Sequence, residues 1–377
     1  MTQNSPIASR RRFLATCLTL AATLPAGLLL AGCPSGGGPT EGASPSAGAT
    51  GASPAASTSA AAPAAGSIKA GLVTDVGGIN DKSFNASAWE GLQKAGKDLG
   101  IQVKVTESKQ NADYVTNLDR FAQNGYGLVF AVGFKMQDAL KEVAPRHPDV
   151  KFAIIDGDAP PLPNCASIKF REEQGSFLAG ALAGAVTKTN KIGFVGGEDM
   201  PLIHKFEAGY KAGAQTTNPK VQFVVGYAEA FNDPAKGLEI ALSQFGAGAD
   251  ILYHAAGASG IGVINAAKQK GAGFYAIGVD QDQDSLAQGR VLTSMVKHVD
   301  VAVYNVCKDV TSGSFKAGTV TLGLKEDGVG LSPMSFTKKD IPPAVLQKID
   351  ALKQQIIDGK IVPPATTEDL AKFKAPA

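Results

Sequence analysis

Eight short apolar runs alternate with amphipathic stretches over roughly the last 310 residues, and this alternation constrains the fold more than any other feature. The runs read IKAGLVTD, QVKVTES, GLVFAVG and VKFAIID, then KIGFVGG, VQFVVGY, ILYHAAG and FYAIGVD. Most are continuously apolar, as expected of parallel strands covered on both faces. Between them lie helix-like stretches; in the first, Phe84, Ala88, Trp89, Leu92, Ala95 and Leu99 recur at helical spacing. Strand–helix alternation requires right-handed crossovers and gives doubly wound parallel sheets. The runs form two sets of four, divided near CASIKFREEQGSFLAGALAG. A chain of this length exceeds what one core usually serves, so the expectation is an α/β protein with two sheet lobes.

The N-terminus reads as an address. SRRRFLA (Ser9 to Ala15) resembles a twin-arginine export signal, and the apolar run after it ends on LAGC (Leu30 to Cys33), which resembles a bacterial lipobox. Residues 1–33 are therefore expected to be an export signal, with Cys33 carrying diacylglycerol and N-acyl (palmitate) chains. The run is too short, and too interrupted by Pro25 and Gly27, for a comfortable spanning helix. From Pro34 to Gly66 every residue except Glu41 is Gly, Ala, Ser, Thr or Pro. Such a segment cannot bury enough apolar surface to order itself, so it is read as a disordered tether with a reach of about 30 Å. The body is expected outside the cytoplasm, held to the cell membrane by lipid.

Charge argues against a nucleic-acid partner. The formal net charge is +2, and removal of Arg10, Arg11 and Arg12 with the signal leaves −1 and no basic block. Cys165 and Cys307 are open to two readings, a disulfide permitted by export or two buried thiols. No CxxC occurs, and His147, His204, His254 and His298 are too widely spaced for a sequence-local metal site, so no metal or cofactor is expected.

Ligands of open α/β sheets bind outside the carboxyl ends of the strands, and the chemistry-bearing residues collect in those loops. In TDVGGINDKSFN, Gly77 and Gly78 allow close approach to the backbone, Asp75 accepts hydrogen bonds, and Asn85 donates and accepts. Phe84 suits either a ligand-stacking face or the core, and Asp81 or Ser83 is expected to cap the following helix. GASGIG (Gly257 to Gly262) lacks the glycine order of a dinucleotide fingerprint, yet offers a glycine turn near a ligand, with Asp280 at the next strand end suited to a vicinal diol. No GxSxG elbow, phosphate loop or HExxH is present.

The ordered set GLVTDVGGINDKSFNASAWEGL, VFAVGF, FAIIDG, GSFLAGALAG, KIGFVGG, FEAGYKAGA, NDPAKG, HAAGASGIGVINAAK, IGVDQDQ and TSMVKHVDVAVY resembles the basic membrane protein family. These are lipoprotein substrate-binding components of ABC transporters, related to a treponemal purine nucleoside receptor. The resemblance implies a type I periplasmic-binding fold with three hinge crossovers. One lobe would hold residues 67–169 with about 298–317, the other 170–297 with about 318–377. It implies Asp75 and Asp156 as base-side acids, Phe84 as the stacking aromatic and Asn85 as a pocket residue. Gly257 and Asp280 would hold ribose, Lys297 would lie near a crossover, and His254 stands where the family has a second aromatic.

The reading is a monomeric, lipid-tethered nucleoside-binding protein that serves the permease and ATPase of an ABC importer and catalyses nothing. The alternative is an exported nucleoside-processing enzyme on a similar body. A sugar-responsive transcription regulator of the same fold is disfavoured by the export signal and by the lack of a DNA-binding module.

Overall fold

All eight apolar runs are strands in the computed structural model, which describes residues 68–375. The export signal, Cys33 and the tether lie outside the described residues. Strand β1 (Lys69–Thr74) leads through helix α1 (Phe84–Leu99) to β2 (Gln102–Glu107), α2 (Asp113–Gln123), β3 (Leu128–Val132), α3 (Gln137–Val143), β4 (Lys151–Ile155) and β5 (Cys165–Phe170). Helix α4 (Glu172–Val186) then opens a second unit: β6 (Lys191–Gly196), α5 (Pro201–Thr217), β7 (Gln222–Tyr227), α6 (Pro234–Gly246), β8 (Ile251–Ala255), α7 (Ser259–Lys270), β9 (Tyr275–Asp280) and β10 (Val291–Lys297). The chain ends through α8 (Val299–Thr311), β11 (Gly318–Leu322), β12 (Val329–Leu331), α9 (Pro343–Ile357) and α10 (Thr367–Lys372).

The two six-stranded sheets repeat one topology. Their orders are β2-β1-β3-β4-β5-β11 and β7-β6-β8-β9-β10-β12, and every pairing is parallel except β10 with β12. In each, the strand order reverses next to the first strand, between β1 and β3 and between β6 and β8. Central strands β3 and β8 are buried throughout, whereas no position of edge strands β2 and β7 is fully buried. That difference follows the sequence, since LVFAV and ILYHA are apolar and QVKVTE alternates.

The chain passes between sheets at Arg171, at His298 and between Leu322 and Val329. Residues Gly318–Leu322, expected in the C-terminal lobe, pair with β5 in the first sheet. The strand was missed because GTVTL is an exposed edge with no apolar run to announce it. Cys165 and Cys307 are both free and buried, and burial pushes their thiols up to about 11 and about 12. Among the described residues no helix is long and apolar enough to cross a membrane, and no group of three or more His, Cys, Asp or Glu could hold a metal.

Helices α4 and α5 pack backbone to backbone through glycines. A Cβ on Gly180 would lie 1.9 Å from the Tyr210 carbonyl oxygen, and one on Gly213 would lie 1.9 Å from that of Phe177. Gly180→Ala should therefore lower stability by about 1–3 kcal/mol despite the better helix propensity of alanine. Gly246→Ala, at the end of α6 with nothing within 4 Å, should be neutral or raise stability by up to about 1 kcal/mol. Urea denaturation of both variants checks this; equal midpoints would show that the α4–α5 contact can relax.

Candidate ligand-binding site

Both sheets point the carboxyl ends of their strands at a shared cavity. It holds about 580 Å³ of space free of protein atoms, its open mouth included. From the first sheet come Asp75 beyond β1, Gly133 and Phe134 beyond β3, and Asp156 beyond β4. From the second come Ala256 and Gly257 beyond β8, Asp280 closing β9, and Lys297 closing β10.

The opening loop is built around two acids. Asp81 Oδ1 accepts the backbone N–H groups of Ser83 and Ala86 (both 3.0 Å), and its Oδ2 accepts that of Asn85 (2.9 Å), so Asp81 satisfies the first turn of α1. Asp75 Oδ1 accepts from the Gly77 N–H and from Asn85 Nδ2 (both 2.8 Å), and Asp81 Oδ2 also receives Asn85 Nδ2 at 3.1 Å. These bonds fix the amide of Asn85 with Nδ2 toward the acids, and its Oδ1 has no hydrogen-bond partner. Gly77 and Gly78 are needed for different reasons. A Cβ at Gly77 would lie 3.0 Å from Asn85 Nδ2, while Gly78 has a φ of 65° and hands the chain to Ile79, whose N–H donates to Glu107 Oε2 at 3.1 Å.

The lobes meet around one buried cation. Lys297, 2 % exposed, sets Nζ 2.5 Å from Asp156 Oδ2, 3.6 Å from Glu172 Oε1 and 4.0 Å from Asp280 Oδ1. The same Nζ lies 4.8, 5.2 and 5.6 Å from the ring centroids of Phe84, Phe170 and Phe206. The surrounding carboxylates overcome the cost of burial and hold the Lys297 ammonium well above its usual range. Burial pushes Asp156 up to about 6 against the pull of Lys297, and it raises Asp75 and Asp280 as well. Asp156 Oδ1 has no hydrogen-bond partner. Glu172 is shared with Lys205, whose Nζ lies 3.0 Å from its Oε2.

Asp156 and Asp280 occupy equivalent places, each at the end of the fourth strand of its sheet. Both have left-handed backbones, with φ of 61° and 64°. Asp280 Oδ2 receives Ser83 Oγ at 2.5 Å, which ties the second lobe to the opening loop of the first. Lys135, beyond β3, and Glu198, beyond β6, form a further ion pair between the lobes.

Of the expected site residues, Asp75, Phe84, Asn85, Asp156, Gly257, Asp280 and Lys297 all line this cavity. His254 does not. Its ring is fully buried behind the wall, with Nε2 3.0 Å from Gln283 Oε1 and helix α7 packed so closely that a Cβ on Gly260 would lie 2.0 Å from Nδ1. The reason is position along the strand: His254 lies within β8 and faces the helix layer, whereas residues beyond the strand end reach the cavity. The further aromatics in the lining are Phe134, Phe206 and Phe231. Phe231 sits in GYAEAFNDPAKG, a strand-end loop already marked by the sequence, and that placement was the signal available for it. Glu172, in the first turn of α4, stands in no strand-end loop and so carries no mark in the sequence.

Residues 68–367 match the family described as ABC transporter substrate-binding protein PnrA-like. The chain is 40% identical over 313 residues to the CD4+ T-cell-stimulating antigen of Listeria monocytogenes, covering 78% of this chain and 87% of that one. It is 39% identical over 318 residues to the ABC transporter nucleoside-binding protein BmpA of Lactococcus lactis, covering 79% and 89%. A solute-binding protein of an Aeropyrum pernix ABC transporter system superimposes with a TM-score of 0.74 at 32% identity, covering 81% of this chain and 96% of that one. A solute-binding protein from Conexibacter woesei gives 0.66 at 25% identity, covering 79% and 99%. With its two parallel-sheet lobes around a single cleft, the chain belongs to the Bmp family of PnrA-like ABC transporter substrate-binding proteins.

Proposed function

We propose that this chain is a lipid-anchored receptor that holds a nucleoside, a purine nucleoside foremost, between its lobes and passes it unchanged to the permease and ATPase of an ABC importer. The observation that carries this reading is the combination of unpartnered buried acceptors with aromatic walls. Asn85 Oδ1 and Asp156 Oδ1 lack protein donors, while Phe84, Phe206 and Phe231 line the same cavity. A flat base bearing N–H groups answers both features, since it stacks on rings and donates from its edge. Asp280 has one oxygen bonded to Ser83 and the other 4.0 Å from Lys297, leaving acceptor capacity for two neighbouring ribose hydroxyls beside the Gly257 turn. Charge narrows the class further. Asp75, Asp81, Asp156, Glu172 and Asp280 face Lys297, Lys205 and a Lys135 already paired with Glu198, so a phosphate would meet an excess of negative charge.

The name of the Lactococcus relative, a nucleoside-binding protein, supports the same class. Hinge closure about the three crossovers brings opposite walls onto the ligand.

Calorimetry tests the ligand class. Ribonucleosides should bind about 10- to 150-fold more tightly than 2′-deoxynucleosides, the worth of a charge-assisted hydrogen bond. Nucleoside monophosphates should bind far more weakly. Asp280→Ala should collapse the ribo-to-deoxy ratio, which is the readout because the substitution also removes the Ser83 bond. Free bases binding as tightly as ribonucleosides would sink ribose recognition, and release of free base during the titration would favour the processing-enzyme alternative.

Affinity should also depend on pH. With Asp156 pushed up to about 6, this carboxyl takes up a proton as pH falls through that value, and a ligand donor favours the ionised form. Binding should therefore weaken by about tenfold from pH 7 to pH 5 and release protons near pH 6. Calorimetry in buffers of different ionisation enthalpy measures that release; a pH-independent affinity would remove Asp156 from the ligand contacts.

Anchoring rests on Cys33. Stable attachment needs more than one acyl chain, which a diacylglyceryl, N-acylated cysteine supplies. Cys33→Ala protein should fractionate as soluble after export, and firm retention in membranes would reject the lipobox reading.

A further inference from the structure

His254 and Gln283 take no part in lining the cavity, yet they form a buried chain of hydrogen bonds that ends on the opposite lobe. Gln283, 2 % exposed, donates Nε2–H to the Lys82 carbonyl oxygen at 2.7 Å. Its orientation is fully determined. Oε1 accepts from His254 Nε2 at 3.0 Å and from the Val279 N–H at 3.1 Å, and its own N–H donates to Ser294 Oγ at 3.0 Å. Because Gln283 presents an acceptor, His254 must carry its proton on Nε2, and burial lowers the imidazole to about 4, which keeps it neutral. Lys82 is held with φ of 54° and directly precedes Ser83, the donor to Asp280. Asp280 lines the ligand cavity on one side and, with Lys82 and Gln283, an outer crevice along the seam between lobes on the other.

We propose that His254 and Gln283 are positioning residues for ligand retention: His254 orients Gln283 so that its amide holds Lys82 across the cleft and keeps Ser83 against Asp280, closing the wall between ligand cavity and outer crevice. This rests on the nucleoside reading only for the ligand whose retention is measured. The wall itself consists of protein bonds. Opening the lobes must break the Lys82–Gln283 and Ser83–Asp280 bonds together, since they join adjacent residues of one loop to one stretch of the other lobe.

Hydrogen exchange by mass spectrometry on the full-length protein in detergent tests the chain of bonds directly. Gln283→Glu preserves an acceptor for His254 and Val279 but sets an oxygen against the Lys82 carbonyl. Peptides covering residues 77–83 should then exchange about tenfold faster, the loss of one hydrogen bond read across the cleft, while β8 peptides stay as in wild type. His254→Phe keeps the ring volume, removes the donor and should accelerate the same peptides. If Gln283→Glu fails to fold, Gln283→Leu takes its place. Stopped-flow dissociation of guanosine and adenosine should quicken about tenfold in each variant, with association changed less. Wild-type exchange over residues 77–83 in both variants would overturn the proposal. Failure of wild type to bind either nucleoside would count against the nucleoside reading alone, because the exchange result still decides the relay.

Discussion

The rest of the site depends on neutralising the Lys297 ammonium. An ammonium taken out of water costs several kcal/mol unless partners surround it, and here they come from both lobes and from the hinge. Asp156 closes a strand of the first sheet, Asp280 closes a strand of the second, and Glu172 follows the crossover at Arg171. Lys297 itself immediately precedes the crossover at His298. Two of the three connections between lobes therefore deliver charges to one point, and separating the lobes pulls Asp156 away from its cation. Lobe closure and electrostatic compensation are the same event.

The repeated topology explains why the acids are where they are. Each sheet ends its fourth strand on an aspartate in left-handed conformation, Asp156 and Asp280. Aspartate tolerates that region better than most residues, though a non-glycine residue there still costs about 1 kcal/mol or more. The conformation turns each carboxylate back over its strand end, into the cleft, instead of along the next connection. With Lys82, these two aspartates place part of the backbone strain where the two halves of the architecture face each other.

Much of this was legible in the sequence, for reasons that also define what was not. Continuous apolar runs announce strands buried on both faces, so the central strands of both sheets could be read directly. β11 could not, because its GTVTL lies on an exposed edge and belongs to the first sheet only through a long return of the chain. Asp75, Asp156, Asp280 and Lys297 stand at or just beyond strand ends, where side chains reach the cavity whatever the strand's parity, and Asn85 lies in the first turn of the helix that follows β1. His254 stands one residue before the end of β8, where alternation decides its direction and sends it into the helix layer. Phe206, inside helix α5, carries no local mark separating a cavity wall from a core, since an aromatic side chain in either place serves burial. The capping role was placeable only as a choice between Asp81 and Ser83; the structure resolves it because Ser83 directs its hydroxyl across the cleft to Asp280.

A receptor of this kind must hold its open and closed forms close in free energy, because a ligand can shift that balance only by its own differential affinity. The Lys297–Asp156, Ser83–Asp280 and Gln283–Lys82 contacts all favour closure. Left alone, they would shut the cleft before a ligand arrived. Asp75, Asp81, Asp156, Glu172 and Asp280 oppose them: loss of water on closure itself raises Asp75, Asp156 and Asp280, and the gathered carboxyls outnumber Lys297 and Lys205. Under the function proposed above, a neutral ligand rich in N–H and O–H groups would supply the donors the protein withholds and remove the opposition without adding charge. On that reading the acid excess would do more than disfavour anions: it would keep closure conditional on a ligand that donates hydrogen bonds.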